Sequence, residues 1–176
     1  MENRKSFNIV LKKLNLSQAK EFCDLYASPH QYGSLYYERH ADDETYEEFT
    51  KRLLWLSKCI YTIRPSSEPK KVIGYCMIYK AGHRRGEVFI RGTLLPEYGN
   101  KGLMSEAFKQ VLDMAKFAYG VNEVKILMHT INENVLQMVK TLGFTKESDT
   151  SKNTVYAKKL RQYIPRRAES GSVSLM

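Results

Sequence analysis

The sequence predicts an α/β domain, a mixed and mainly antiparallel sheet with helices on both faces. Three observations predict it. Residues 88–119 read as a strand, a glycine-containing turn and a helix; the strands before them follow one another across short turns, which makes those neighbours antiparallel; and the apolar run 124–129 is reached by a crossover, which makes it parallel to the strand before the helix. With 176 residues and 43% hydrophobic content, the chain suffices for one domain with a sizeable core. The expected domain is residues 1–161, followed by a loose tail, 162–176, that carries Arg166-Arg167 and Glu169-Ser170-Gly171-Ser172.

In chain order, residues 7–11 read as a first strand that Lys12 and Lys13 interrupt. Asn15 or Ser17 caps a helix with Ala19, Phe22, Cys23 and Tyr26 on one face. Residues 27–43 form a loop holding Pro29, His30, Tyr32, Gly33, Tyr36, Tyr37, Arg39 and His40. Loops of that length are usually functional or disordered, and the aromatic content argues against disorder. Thr45 with Glu48 makes a capping box for a helix with Tyr46, Phe49, Leu53 and Leu56 inward. Residues 59–64 and 71–79 are strands around the turn 65–69, with Gly74 at a bulge. In the helix after the central strand, Met104, Ala107, Phe108, Val111, Ala115 and Ala118 form one apolar stripe, and Gly120 stops it. Asn132 caps a further helix with Val135, Val139 and Leu142 inward, ended by Gly143-Phe144. Residues 145–147 and 154–160 make a closing hairpin.

Charge and cysteines narrow the function. A net charge of +9 attracts polyanions, but the basic pairs are dispersed and acidic residues fill several of the gaps, so the expectation is against nucleic-acid binding. Cys23, Cys59 and Cys76 lie far apart without a C-x-x-C pair, which indicates neither a disulfide framework nor a zinc site and suits a reducing cytoplasm. The N-terminal stretch has no signal-peptide core, and no apolar run approaches the roughly 20 residues that span a bilayer.

Chemistry enters at the turn Gly99-Asn100-Lys101-Gly102. Gly99 and Gly102 free the backbone of a Cβ where it bends or where something approaches closely, and the unpaired N–H groups of the new helix point into that space. A helix N-terminus carries about half a positive charge, and Lys101 adds a full one. A phosphate-bearing ligand is the economical reading. The spacing is neither that of the P-loop nor that of the dinucleotide fingerprint.

The run Leu94-Leu95-Pro96-Glu97-Tyr98, Asn100-Lys101-Gly102-Leu103-Met104, Ser105-Glu106-Ala107 resembles motif A of the GNAT superfamily of acetyl-CoA-dependent N-acetyltransferases, especially the branch that acetylates ribosomal-protein N-termini. Residues 132–144, from Asn132 to Leu142-Gly143-Phe144, resemble the family's second CoA-side segment, with Val135 where a Ser is frequent and Val139 where many members carry a Tyr. The resemblance implies a three-layer αβα sandwich and acetyl-CoA as cosubstrate without a metal. It implies that Leu94, Leu95, Gly99, Asn100, Lys101, Gly102, Leu103, Met104, Ser105 and Asn132 meet the cofactor, pantetheine along the strand and pyrophosphate at the turn. The implied reaction is direct attack of a primary amine, a protein N-terminus or a small molecule, in a ternary complex, and the resemblance leaves room for a homodimer. The alternative is a catalytically weak GNAT-shaped protein that binds CoA or regulates.

A lysine-like amine is only about one part in 10³ to 10⁴ neutral at pH 7, so desolvation or a general base must supply the neutral form. His129 at the end of the parallel strand is the first choice for the base, with Glu87, Glu38 and His40 as further positions. With Val139 in the usual Tyr position, the departing thiolate takes its proton from water, from Tyr36 or Tyr37 in the aromatic loop, or from the amine itself. A backbone N–H near residues 93–95 is expected to meet the developing oxyanion.

Overall fold

The computed structural model describes residues 8–26, 40–80, 84–128, 132–151 and 153–160. Along them run β1 (Ile9–Lys13), α1 (Ala19–Tyr26), α2 (Tyr46–Leu56), β2 (Ser57–Pro65), β3 (Gly74–Tyr79), β4 (Glu87–Leu94), α3 (Leu103–Phe117), β5 (Glu123–Met128), α4 (Glu133–Thr141), β6 (Thr145–Asp149) and β7 (Thr154–Lys159). These strands form one sheet in the order β1-β2-β3-β4-β5-β7-β6. Among its described pairs, β4 with β5 is parallel and the others are antiparallel.

Alternation along the strands sends side chains to two cores. On one face Phe22, Tyr26, Phe49 and Leu53 of α1 and α2 pack on Ile60, Tyr75, Met77 and Tyr79. On the other, Ala107, Phe108, Val111 and Ala115 of α3, with Val139 of α4 and Leu142 beside it, pack on Ile63, Ile78, Val88, Ile90 and Val124. Ile90, Val111 and Val139 are wholly buried, and each such side chain contributes about 1.5 to 3 kcal/mol of transfer free energy. The result is the three-layer αβα sandwich expected from the sequence.

The caps are local and legible. Thr45 and Glu48 form both bonds of the capping box, Asn15 accepts from the Ser17 N–H at 3.0 Å, and Asn132 caps α4. Gly143 takes φ +82°, and the Phe144 N–H reaches back to the Val139 carbonyl at 3.2 Å.

Several boundaries differ from the sequence reading. Lys12 and Lys13 do not interrupt β1 but pair with Thr62 and Tyr61, because both sit at an exposed sheet edge where a charged side chain costs nothing. β3 begins at Gly74 rather than at Lys71, and its register with β4 is regular there; the irregularity lies in β2, between Ser57 and Cys59. Gly74 is needed for closeness, since a Cβ would stand 2.2 Å from the Thr93 carbonyl oxygen. Tyr46 and Val135, expected inward, are 46% and 37% exposed, because each lies in the first turn of its helix, beyond the edge of the core. No described helix is long and apolar enough to cross a membrane.

Candidate active site

β4 and β5 pair through Glu87↔Glu123, Val88↔Val124 and Phe89↔Lys125 and then part. Beyond that point β4 stays with β3 as far as Gly74↔Leu94, and β5 stays with β7 as far as Met128↔Thr154. Their facing edges are therefore open towards the C-terminal ends of both strands. The Gly86 carbonyl accepts from Asn122 and Glu123 at 2.8 and 3.2 Å, and the Leu95 N–H donates to Ile73 at 2.8 Å. These two anchors fix the parity of β4, so the N–H and C=O of Gly92 and Leu94 face the gap while those of Thr93 and Leu95 face β3. Backbone groups of this kind need partners, and an extended ligand bearing amides supplies them.

The gap ends in front of α3. Pro96–Tyr98 form a single 3-10 turn, Gly99 is extended, and the bend falls on Asn100 (φ +56°) and Gly102 (φ +75°). Gly102 is the N-cap of α3 without a side-chain cap, and a Cβ placed there would meet nothing within 4 Å. The first-turn amides of Leu103, Met104 and Ser105, which have no partner within the helix, follow that open position at the positive end of a fifteen-residue helix. Lys101 folds back, its Nζ donating to the Glu97 carbonyl at 2.7 Å and lying 5.5 Å from the centre of the Tyr98 ring. Behind the turn, Gly92 lets α3 close on β4: a Cβ would sit 2.8 Å from the Tyr75 carbonyl oxygen and 3.0 Å from the Met104 sulfur and the Phe108 ring.

α4 starts at the same end of the sheet. Asn132 Oδ1 accepts from the N–H groups of Asn134 and Val135 at 3.0 and 3.3 Å, which commits that oxygen to capping. Asn134 Nδ2 donates to Asn100 Oδ1 at 3.3 Å and joins the two helix starts.

The opposite face of β4 meets α1 and α2. Arg91 donates to the Tyr26 hydroxyl, and its guanidinium lies 5.3 Å from the Tyr26 ring centre and 5.9 Å from that of Tyr79. Tyr26 stacks on Tyr75 at 5.6 Å. His40 packs its ring 5.1 Å from Phe49 and 5.9 Å from Tyr46. Just before α2, Glu44 takes Arg52 in a two-pronged pair at 2.7 and 2.6 Å, and that hydrogen bonding holds its carboxyl below the ordinary range.

One candidate base, Glu87, and the position at which the family often carries a Tyr, Val139, both lie away from the gap. Glu87 stands at the closed, N-terminal end of β4, 3.0 Å from the Lys125 ammonium, which also meets Glu147 at 2.9 Å. Burial would lower the Lys125 pKa, but the hydrogen bonds to Glu147 and Glu87 outweigh it and carry the value above that of an ordinary lysine. Glu87 is thus one of two carboxylates around the buried Lys125 ammonium and not a cleft base. Val139 is wholly buried in the core beneath α4, so its side chain does not look into the gap. His129, Tyr36, Tyr37 and Glu38 lie outside the described residues. Sequence reasoning missed Asn134, Tyr75 and Arg91. The signal for Arg91 was a charged residue in the middle of an apolar strand; Asn134 carried none.

The family comparison agrees with this geometry. The sequence model described as the acetyltransferase (GNAT) domain matches residues 8–145. No curated protein sequence matches the chain. Among solved structures, the ribosomal-protein-S5-alanine acetyltransferase of Vibrio fischeri superposes with a TM-score of 0.70 at 17% identity, over 89% of this chain and 96% of that one. The spermidine N-acetyltransferase SpeG of Vibrio cholerae, in a mutant form, gives 0.71 at 13% identity, over 86% and 93%. The yncA protein of Salmonella typhimurium, solved with its cofactor acetyl-CoA, gives 0.68 at 15% identity, over 91% and 99%. With the matched model spanning most of the sequence and the sheet parting where a cofactor would enter, the chain belongs to the GNAT acetyltransferase family.

Proposed function

We propose that the protein moves the acetyl group of acetyl-CoA to a primary amine, a protein N-terminus or a small-molecule amine, by direct attack with both substrates bound. The observation that carries this reading is the parting of β4 from β5 after Phe89↔Lys125, in front of an N-terminus of α3 that no side chain caps.

The residues present fit the cofactor. Open space at Gly102 and the first-turn amides of α3 suit a diphosphate, and the gap-facing edges of Gly92 and Leu94 suit an amide-bearing arm. When bound, acetyl-CoA supplies an acetyl group activated as a thioester. The protein's part is positioning and protons. Leu94 offers its N–H to the acyl oxygen as charge develops there. The Tyr26 and Tyr75 rings line the other face of β4, where they exclude water and favour the neutral amine. His129, which follows Met128 at the open end of β5, is the proposed base, and Tyr36 or Tyr37 the proposed donor to the departing thiolate. Cys23, Cys59 and Cys76 are buried free thiols, which supports a cytoplasmic setting.

A second reading, a CoA-binding protein of low catalytic power, is favoured by one feature: position 139 is a buried Val without an acidic proton. Incubation with acetyl-CoA and a panel of N-terminal peptides, polyamines and small amines, read as free-thiol release, separates the two. Amine-dependent release supports transfer. Cofactor binding without release for any amine supports the second reading.

A further inference from the structure

The sheet brings a second turn to the cofactor end. β2 ends at Pro65, β3 starts at Gly74 beside Leu94, and the connection between them therefore emerges next to the turn that leads into α3. Arg64 fixes that connection from below. It is 3% exposed, and its Nη1 donates to the carbonyls of Pro69 and Lys70 at 3.0 and 2.9 Å, while Nε donates to Thr62 Oγ1 at 3.0 Å. The Lys71 N–H is held by the Glu68 carbonyl at 2.9 Å. A buried guanidinium bound to two successive carbonyls makes the backbone before Lys71 stiff, so the lysine is presented rather than left to wander.

Lys71 is presented to Tyr98. Its Nζ lies 5.2 Å from the ring centre, and Lys101 Nζ, from the phosphate turn itself, lies 5.5 Å from the same centre. The ring is packed against the main core, so it holds both ammonium groups within reach of the turn before α3. The hydrogen bond with Tyr98 raises the Lys71 pKa, and Glu68 and Glu97 contribute in the same direction. Lys70 lies in the same connection, which the buried Arg64 holds.

We propose that Lys71 and Lys101, each held against the Tyr98 ring, form a subsite for a phosphate monoester, and that its occupant is the 3′-phosphate of CoA. This deepens the acetyl-CoA reading and rests on it. The α3 amides have the geometry for a diphosphate, and CoA carries one further phosphate, dianionic near neutral pH, which a pair of lysines outside the helix mouth would recognise by charge. Arg64 is a positioning residue that acts through the backbone of Lys71.

The test compares CoA with 3′-dephospho-CoA by calorimetric titration of the full chain. The wild-type protein should bind CoA about tenfold more tightly than the dephospho form, and Lys71→Ala should cut that ratio about threefold while leaving dephospho-CoA affinity nearly unchanged, the scale expected of an exposed charge pair. Lys71→Arg should restore most of the ratio, and the Lys71→Ala/Lys101→Ala double variant should bring it close to one. A wild-type ratio of one, or an unchanged ratio in Lys71→Ala with both ligands still bound, overturns the subsite and leaves the cofactor reading standing. Failure of the wild-type protein to bind either ligand overturns both. A thermal melt of each variant separates loss of the subsite from loss of the fold.

Discussion

Asn134 at the start of α4 donates its side-chain amide to the side-chain oxygen of Asn100, 3.3 Å away in the turn before α3, and so links the two helix starts across the mouth of the β4–β5 gap. Asn100 is the non-glycine residue of positive φ in the described chain, and the bond ties that conformation to the helix opposite. Asn134→Ala removes one exposed neutral hydrogen bond, a net contribution of about 0.5 to 1.5 kcal/mol. The expected result is a two- to tenfold rise in the Kd for CoA by calorimetry, with a melting temperature close to that of the wild type. Unchanged affinity would show that the link is idle.

Gly102→Val should weaken CoA binding more than tenfold, whereas Lys101→Ala should cost only the modest share of an exposed charge. The added side chain at 102 meets nothing, so steric crowding is not the cause. The cost arises because φ +75° is unfavourable for a β-branched residue by about 1 to 3 kcal/mol, which shifts the backbone whose amides face the gap. Gly102→Asn, whose side chain tolerates this region, should retain most of the affinity. Equal binding by all three variants would place the phosphates elsewhere.

Val139→Tyr should destabilise the protein and not accelerate it. Position 139 is wholly buried, and overpacking of a filled core costs about 1 to 3 kcal/mol or more, roughly 2 to 4 °C per kcal/mol in a chain of this size. A melt and a thiol-release assay check both parts. A folded variant that turns over faster would show that the ring can reach the thiolate after all.

The Glu44–Arg52 pair predicts a pH signature. The folded carboxyl titrates below its unfolded value of about 4.3, so its contribution to stability is present above that pH and is lost as pH falls through the folded value. Glu44→Gln should therefore melt a few degrees below the wild type at pH 7, and the gap should narrow as the pH falls below the ordinary carboxylate range. A gap that persists in acid would assign the difference to packing instead of charge.

Most of the architecture was legible in the sequence because its signals are local. The Thr45–Glu48 box, the Asn132 cap, the Gly143-Phe144 stop and the apolar stripe of α3 each depend on residues within a turn or two of one another. Gly102 was legible for the same reason, since the need for positive φ at a helix start is a property of the chain nearby. The rest depends on what faces what across the sheet. The inward face of α4 at Val139 was legible from its periodicity, but nothing near Glu87 says that Lys125 will pair with it and with Glu147 at once. The Asn100–Asn134 bond and the meeting of Lys71 with Tyr98 join segments 34 and 27 residues apart, brought together only when the strands align.

The central claim is that acetyl-CoA seats between β4 and β5 with its phosphates at the start of α3. Titration of ¹⁵N-labelled protein with acetyl-CoA, followed by amide shifts and hydrogen-exchange protection, tests it most directly. The account predicts saturable shifts and new protection concentrated at Gly92, Leu94 and the first-turn amides Leu103, Met104 and Ser105, with the amides of β1 and β6 unmoved. Saturable shifts that leave those five amides untouched, or no shift at millimolar acetyl-CoA, would contradict it.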